Sequence, residues 1–410
     1  MKIARPCLLV SIALTLANEG FATPMHVSLE TPLMFSMLSN TTSFHNELNL
    51  LQAKNHLTQS TLYLGGLGQG GVSFVHASQP TFFYSNEMTY QSRNYASLDR
   101  AALAFMGNVN PWAAVYLETG ATDIGQSYAS TLNLNQTYLL LGDGVFPLYA
   151  FVGNKNIDFG DFSTVNIFAQ PVTRWDFAGT ALTAGAGYRA HGFNVTFSGL
   201  NGGEQGAEDY YGAGLWRVHN YTNYYTPKKL INNFAINSSY SAKIAAMDWT
   251  VGVGYMRGLW LGDPNNFFNN TSIGAWDINA QVHVQHVTLL AEFVNSTPNT
   301  NSFGRFTPHI PGSASLQTWD VGASYASDDY LLPHESIISA DCSGVVGNNA
   351  FAAVTQWVLG LQNHIYKPFW VGIEYVHEDQ TSNLGAMRSG LFFRTHDRVQ
   401  VLRLDVTANF

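Results

Sequence analysis

Apolar and polar residues alternate along most of this chain, which is the mark of a β-strand with one oily face and one wet face. The pattern is sharpest over positions 275–284. There Trp276, Ile278, Ala280, Val282 and Val284 are apolar, while Asp277, Asn279, Gln281 and His283 between them are polar. Past a tight turn at Gln285 and His286, Val287, Leu289, Ala291 and Phe293 continue the apolar set, so the pair reads as a hairpin. Weaker versions occupy 113–118, 193–198, 249–255, 319–325 and 369–375, with aromatic residues gathered at their ends. At the C-terminus Leu402, Leu404, Val406 and Ala408 alternate with Arg403, Asp405, Thr407 and Asn409 before the final Phe410.

A strand of a soluble sandwich accounts for any one of these runs. Their recurrence, the aromatic ends and the terminal Phe410 predict an all-β fold, a transmembrane antiparallel β-barrel closed by the strand that ends at Phe410. No stretch after the N-terminus approaches the roughly 18 uninterrupted apolar residues of a helical span, so insertion must use strands. Connections alternate in length. Short ones lie near 108–111, 142–147, 190–192, 241–247, 285–286 and 364–368, and long ones span about 156–176, 201–230, 260–272, 295–314 and 379–397. Short turns face the periplasm in such barrels and long loops face outward. Counting hairpins back from Phe410 gives about sixteen strands of roughly 10 residues, with fourteen and eighteen left open by ambiguity before Leu98 and over 330–340.

Composition agrees with a water-lined barrel. Charged residues are 11 % of the chain, against roughly 25 % in soluble domains. At the N-terminus Lys2 and Arg5 precede a short apolar run, and Gly20, Phe21 and Ala22 provide a cleavage site, so residues 1–22 read as a signal peptide. Its removal takes away Lys2, Arg5 and Glu19 and shifts the formal charge of −9 to −10. Such acidity argues against a nucleic-acid partner. Cys342 alone then remains, which excludes an intramolecular disulfide. Residues 23–58 fall outside the alternation and read as a short periplasmic segment with a capped helix near 43–51, either a tail or a small insert at the barrel mouth; 59–410 form the barrel.

Candidate chemistry is sparse. Gly65, Gly66, Gly68, Gly70 and Gly71 resemble a dinucleotide loop only superficially, because the strand-like Val72 to Val75 follows where a helix is needed, and a flexible turn is the expected role. His334 with Glu335, and His377 with Glu378 and Asp379, lack the second histidine of a zinc motif, so no metal or cofactor is expected. No nucleophile motif supports an enzyme, although an outer-membrane hydrolase and a surface adhesin using 201–230 stay open as rivals. More informative is the strand carrying Phe151, Gly153 and Lys155, which runs into a loop of over twenty residues. Folded inward, that loop places Lys155, Asp158, Asp161 and Arg174 near a permeating solute; left outside, it is an extracellular loop with local pairs. Polar faces of the strands add Tyr116, Glu118, Asp277, Asn279, Gln281, Glu292, Asp320, Glu374, Arg403 and Asp405 as pore-lining candidates, with carboxylates in excess.

Val152, Gly153, Asn154 and Lys155, then Asp158 to Phe162, the Pro171 segment and Ala184 to Tyr188, give the chain a further likeness. It resembles the LbtU-type siderophore porins of Legionella- and Coxiella-like bacteria. The resemblance implies a barrel of roughly sixteen strands in the outer membrane that takes up a ferric siderophore without a large plug. The carboxylate-rich wall should repel a polyanionic iron chelate, which keeps a general diffusion porin for small polar solutes as the alternative. Expected partners are outer-membrane lipid, the small solute and the barrel-assembly machinery, which would engage the C-terminal strand. Porins of this size are often homotrimers, and nothing in the sequence marks an interface.

Overall fold

The computed structural model describes residues 26–29, 31–39, 46–54, 56–77, 92–124, 132–166, 168–204, 233–259, 273–297, 317–327, 336–346, 353–366, 369–382 and 395–409. The expected signal peptide, Phe410 and most of the long loops expected after 201, 260, 295 and 379 lie outside these residues. The chain begins with β1 (His26–Leu29), α1 (Thr31–Leu38) and α2 (Asn46–Lys54). Strands β2 (Thr61–Ala77), β3 (Ser92–Asn110), β4 (Ala113–Ile124), β5 (Leu132–Leu141) and β6 (Leu148–Asn156) follow. After α3 (Val172–Phe177) come β7 (Thr180–Ala190), β8 (Phe193–Glu204), β9 (Asn233–Ile244), β10 (Met247–Leu259), β11 (Ile273–Val284) and β12 (Val287–Ser296). The last five are β13 (Gln317–Ser327), β14 (Ser336–Val346), β15 (Ala353–Tyr366), β16 (Phe369–Ser382) and β17 (Thr395–Asn409).

Strands β2 to β17 pair antiparallel with their sequence neighbours, and β17 pairs with β2, so sixteen strands close into a barrel without an open edge. Burial follows the alternation read from the sequence: Leu402, Leu404 and Val406 are exposed on the outer face, while Arg403, Asp405 and Thr407 are buried inside. Short connections at 111–112, 142–147, 191–192, 245–246 and 285–286 share one end of the barrel. His191, Ala245 and Gln285 reach φ near +53° there, the left-handed backbone that a two-residue hairpin demands.

The seam is offset. β17 covers β2 only from Leu67 to Ala77, and β1 pairs in parallel with Thr61 to Leu64, the stretch that β17 leaves uncovered. The glycine run 65–71 corrects the expectation of a flexible turn, because it lies inside β2 as extended strand. Close approach is the physical reason at its end. A Cβ on Gly71 would meet the Leu404 carbonyl oxygen at 2.2 Å and Asp405 Oδ1 at 2.6 Å, whereas one on Gly68 would meet nothing within 4 Å. Gly71→Val should therefore destabilise the barrel by about 1–3 kcal/mol, read as a lower thermal midpoint of the refolded protein, and Gly68→Ala should leave that midpoint nearly unchanged.

Candidate functional site: the lumen and its two inserts

Two segments fill part of the barrel interior. The first is the N-terminal pair of helices. Met34, Met37 and Leu38 of α1 and Leu50 and Leu51 of α2 form one buried cluster with the inward side chains of β2 to β6, including Tyr63, Met106, Tyr116, Tyr138 and Phe151. Polar bonds seat the helix ends. Arg100 Nη1 donates to the Leu38 carbonyl at 2.8 Å, a cation at the negative end of α1, and Lys54 Nζ donates to the Gly142 carbonyl at 2.8 Å.

The second insert is the segment after β6. Residues 157–166 and 168–171 turn inward and lie along the inner wall before α3 leads back to β7. Wall carboxylates hold its backbone. Glu292 on β12 accepts the amides of Asp161 and Phe162 at 2.9 and 3.1 Å, and Glu374 on β16 accepts those of Phe168 and Ala169 at 3.4 and 2.9 Å. Val172 N donates to Ser343 Oγ on β14 at 3.1 Å, and Ser339 Oγ donates to Asn166 Oδ1 at 2.7 Å. Hydrogen bonds to a charged acceptor are worth about 1.5–3 kcal/mol each. They hold Phe162, whose φ of +50° costs about 1–2 kcal/mol for a residue with a side chain. Small wall residues make room: a Cβ on Gly322 would meet Val165 at 2.9 Å, and one on Gly372 would meet Phe168 at 3.0 Å.

The inserts meet at Lys155 on β6. Its Nζ lies 3.1 Å from Glu47 Oε2 of α2, ion-pairs with Asp158 of the loop, and sits 4.4 Å from the Phe151 ring centroid. Ser198 Oγ on β8 donates to the far oxygen of Asp158. Side chains of all three ionic partners are 0 % exposed. So closed a site needs every donor matched, since losing one partner of a buried pair costs about 3–5 kcal/mol.

Other predicted residues fall into separate groups. Glu118 accepts from Arg100 at 3.1 Å, Tyr116 at 3.2 Å, Asn135 at 3.0 Å and Gln136 at 3.1 Å, beneath the helices and apart from the loop. Asn279 Nδ2 donates to Asp277 Oδ2 at 2.6 Å, and Gln281 is half-buried farther along β11. Arg403 pairs with Asp405 and with Asp99. Asp320 lies opposite Glu292 in register, one diagonal step from Asp341. Asp161 accepts from Ser163 at 2.5 Å, and Arg174 Nη1 donates to the Phe162 carbonyl at 3.0 Å. Glu47, Ser198, Arg100 and Asp341 escaped the sequence reading. Ser198 did carry a local signal, as a polar position of the alternation over 193–198. Among the described residues no cluster of three metal-ligating side chains exists.

Neither a protein-family model nor a curated protein sequence matches the chain. Solved structures do resemble it. OprB of Pseudomonas putida superposes with a TM-score of 0.53 at 13 % identity, over 85 % of this chain and 94 % of that one. The anion-selective porin from Comamonas acidovorans gives 0.52 at 10 %, over 85 % and 99 %. The outer membrane channel DcaP of Acinetobacter baumannii gives 0.51 at 12 %, over 85 % and 97 %. The chain has the fold of an outer-membrane porin. Within that porin fold, identities this low carry the architecture and leave the solute to the lumen's own side chains.

Replacing Glu292 and Glu374 together by Gln removes the charge from both loop anchors. Trypsin cleavage after the buried Arg174 should accelerate roughly 10- to 100-fold over the parent, the factor that about 1.5–3 kcal/mol of lost anchoring implies. Lys54 yields a second expectation. Burial pushes its ammonium from 10.5 down to about 8, partly offset by Asp143. An undocked Lys54 keeps its proton up to the higher value, so helix docking should strengthen as pH rises from about 8 to 10.5. Proteolytic protection of α2 should track that rise, and Lys54→Met should flatten it.

Proposed function

We propose that the protein is a channel, not an enzyme, through which small polar solutes cross the outer membrane, with a preference for cations. One observation supports this most: the segment after β6 is laid along the inner wall and fastened there by Glu292 and Glu374, which narrows an aqueous path between polar faces. Charge supplies the preference. Arg100, Lys155 and Arg403 are each matched by carboxylates, and Asp277, Asp320 and Asp341 are further inward carboxyl groups on β11, β13 and β14. A net negative lumen raises the local concentration of cations and slows anions.

Uptake of a ferric siderophore is the finer reading that the sequence resemblance implies, and it asks more of the lumen. A bulky chelate needs one or both inserts to move aside, and an anionic one must also pass the carboxylates. Homotrimer formation and engagement of β17 by the assembly machinery are the partner expectations that accompany a porin.

Purified protein in a planar bilayer should give stepwise conductance, and a salt gradient should set a reversal potential on the cation-selective side. No conductance at any voltage would reject the channel. An anion-selective reversal potential would reject the charge argument alone. Ferric chelate uptake by an iron-starved strain carrying the gene should not exceed that of the strain without it; a gain would favour the siderophore reading.

A further inference from the structure

We propose that the N-terminal helices and the lumenal loop are mechanically coupled through Lys155, so that the lumen opens by releasing both inserts and not either one alone. The consequence for permeation rests on the channel reading; the coupling itself does not. Glu47 reaches Lys155 from α2, Asp158 reaches it from the loop, and Ser198 fixes Asp158 from β8. Lys155 belongs to the wall and is ion-paired to both inserts. Because Glu47, Lys155 and Asp158 are all shielded from water by the two segments together, each insert is part of the seal that makes the other's ion pair buried.

When either insert leaves, water reaches Lys155 and the remaining pair becomes an exposed one, which contributes little to stability. Repulsion between Glu47 and Asp158 opposes this coupling. It is outweighed while the ammonium stands bonded to both and the low local dielectric strengthens those attractions. The neighbouring bonds carry the effect outward. On the helix side Arg100 and Lys54 seat α1 and α2, and on the loop side Glu292 holds the amides that follow Asp158. Neither of these groups bridges the two inserts, whereas Lys155 does and acts as a positioning residue common to them. Linkage then requires that a change on one insert be felt at the other, in both directions.

Thiol labelling tests this without reference to conductance. In a Cys342→Ser background, Thr164→Cys reports on the loop and Met37→Cys on α1, both positions being buried in the closed state. Glu47→Gln should speed maleimide labelling at position 164, and Asp158→Asn should speed labelling at position 37, each by roughly tenfold. Lys155→Met should speed both. Barrel integrity is scored for every variant by the faster migration of unheated samples on a denaturing gel. Should each carboxylate change affect only its own insert, in barrels that remain folded, the coupling is wrong, whatever the conductance measurements return.

Discussion

A membrane-spanning sheet must close, because hydrocarbon offers no partner for a free edge, and closure decides where every polar side chain goes. With apolar residues committed to the outer face, the alternation sends Lys155, Glu118, Asp277, Glu292, Asp320, Glu374 and Arg403 inward on seven different strands. That crowd of ionisable groups is then available to bind whatever enters the interior. In this chain two of its own segments enter, and Lys155, Glu292 and Glu374 are spent on them.

The inserts use the wall in different ways. α1 and α2 dock chiefly by burying Met34, Met37, Leu38, Leu50 and Leu51 against aromatic and aliphatic side chains of β2 to β6, with Arg100 donating to the Leu38 carbonyl and Lys54 to that of Gly142. The loop docks by its backbone, whose amides find carboxylate oxygens in place of a sheet partner. Phe159, Phe162 and Phe177 add a small apolar cluster facing β8 to β12. Each mode answers the same requirement, that a polar group removed from water be paired.

A barrel of about sixteen alternating strands was legible in the sequence because period-2 patterning is local: Trp276 to Val284 shows its faces without help from any other part of the chain. The exact extent of β2 was not legible, since its glycines weaken the pattern and mean close packing at Gly71 only once β17 is beside it. Lys155 and Asp158 stood out as a charged pair next to a long loop. Their third partner, Glu47, could not be read, because a contact across 108 residues is fixed by the path of α2 inside the barrel and leaves no periodic trace. The excess of lumen carboxylates was countable in advance, but not its use: Glu292 and Glu374 look like pore wall in sequence and serve as loop anchors in the fold.

At the centre of this account is a loop whose amides are held by wall carboxylates inside the barrel. Hydrogen–deuterium exchange resolved to single amides in the refolded protein tests that most directly. Asp161, Phe162, Phe168 and Ala169 should exchange at rates close to those of strand amides in β12 and β16, far slower than an open loop allows. Exchange of these four at the rate of freely solvated amides, with the strands still protected, would contradict it.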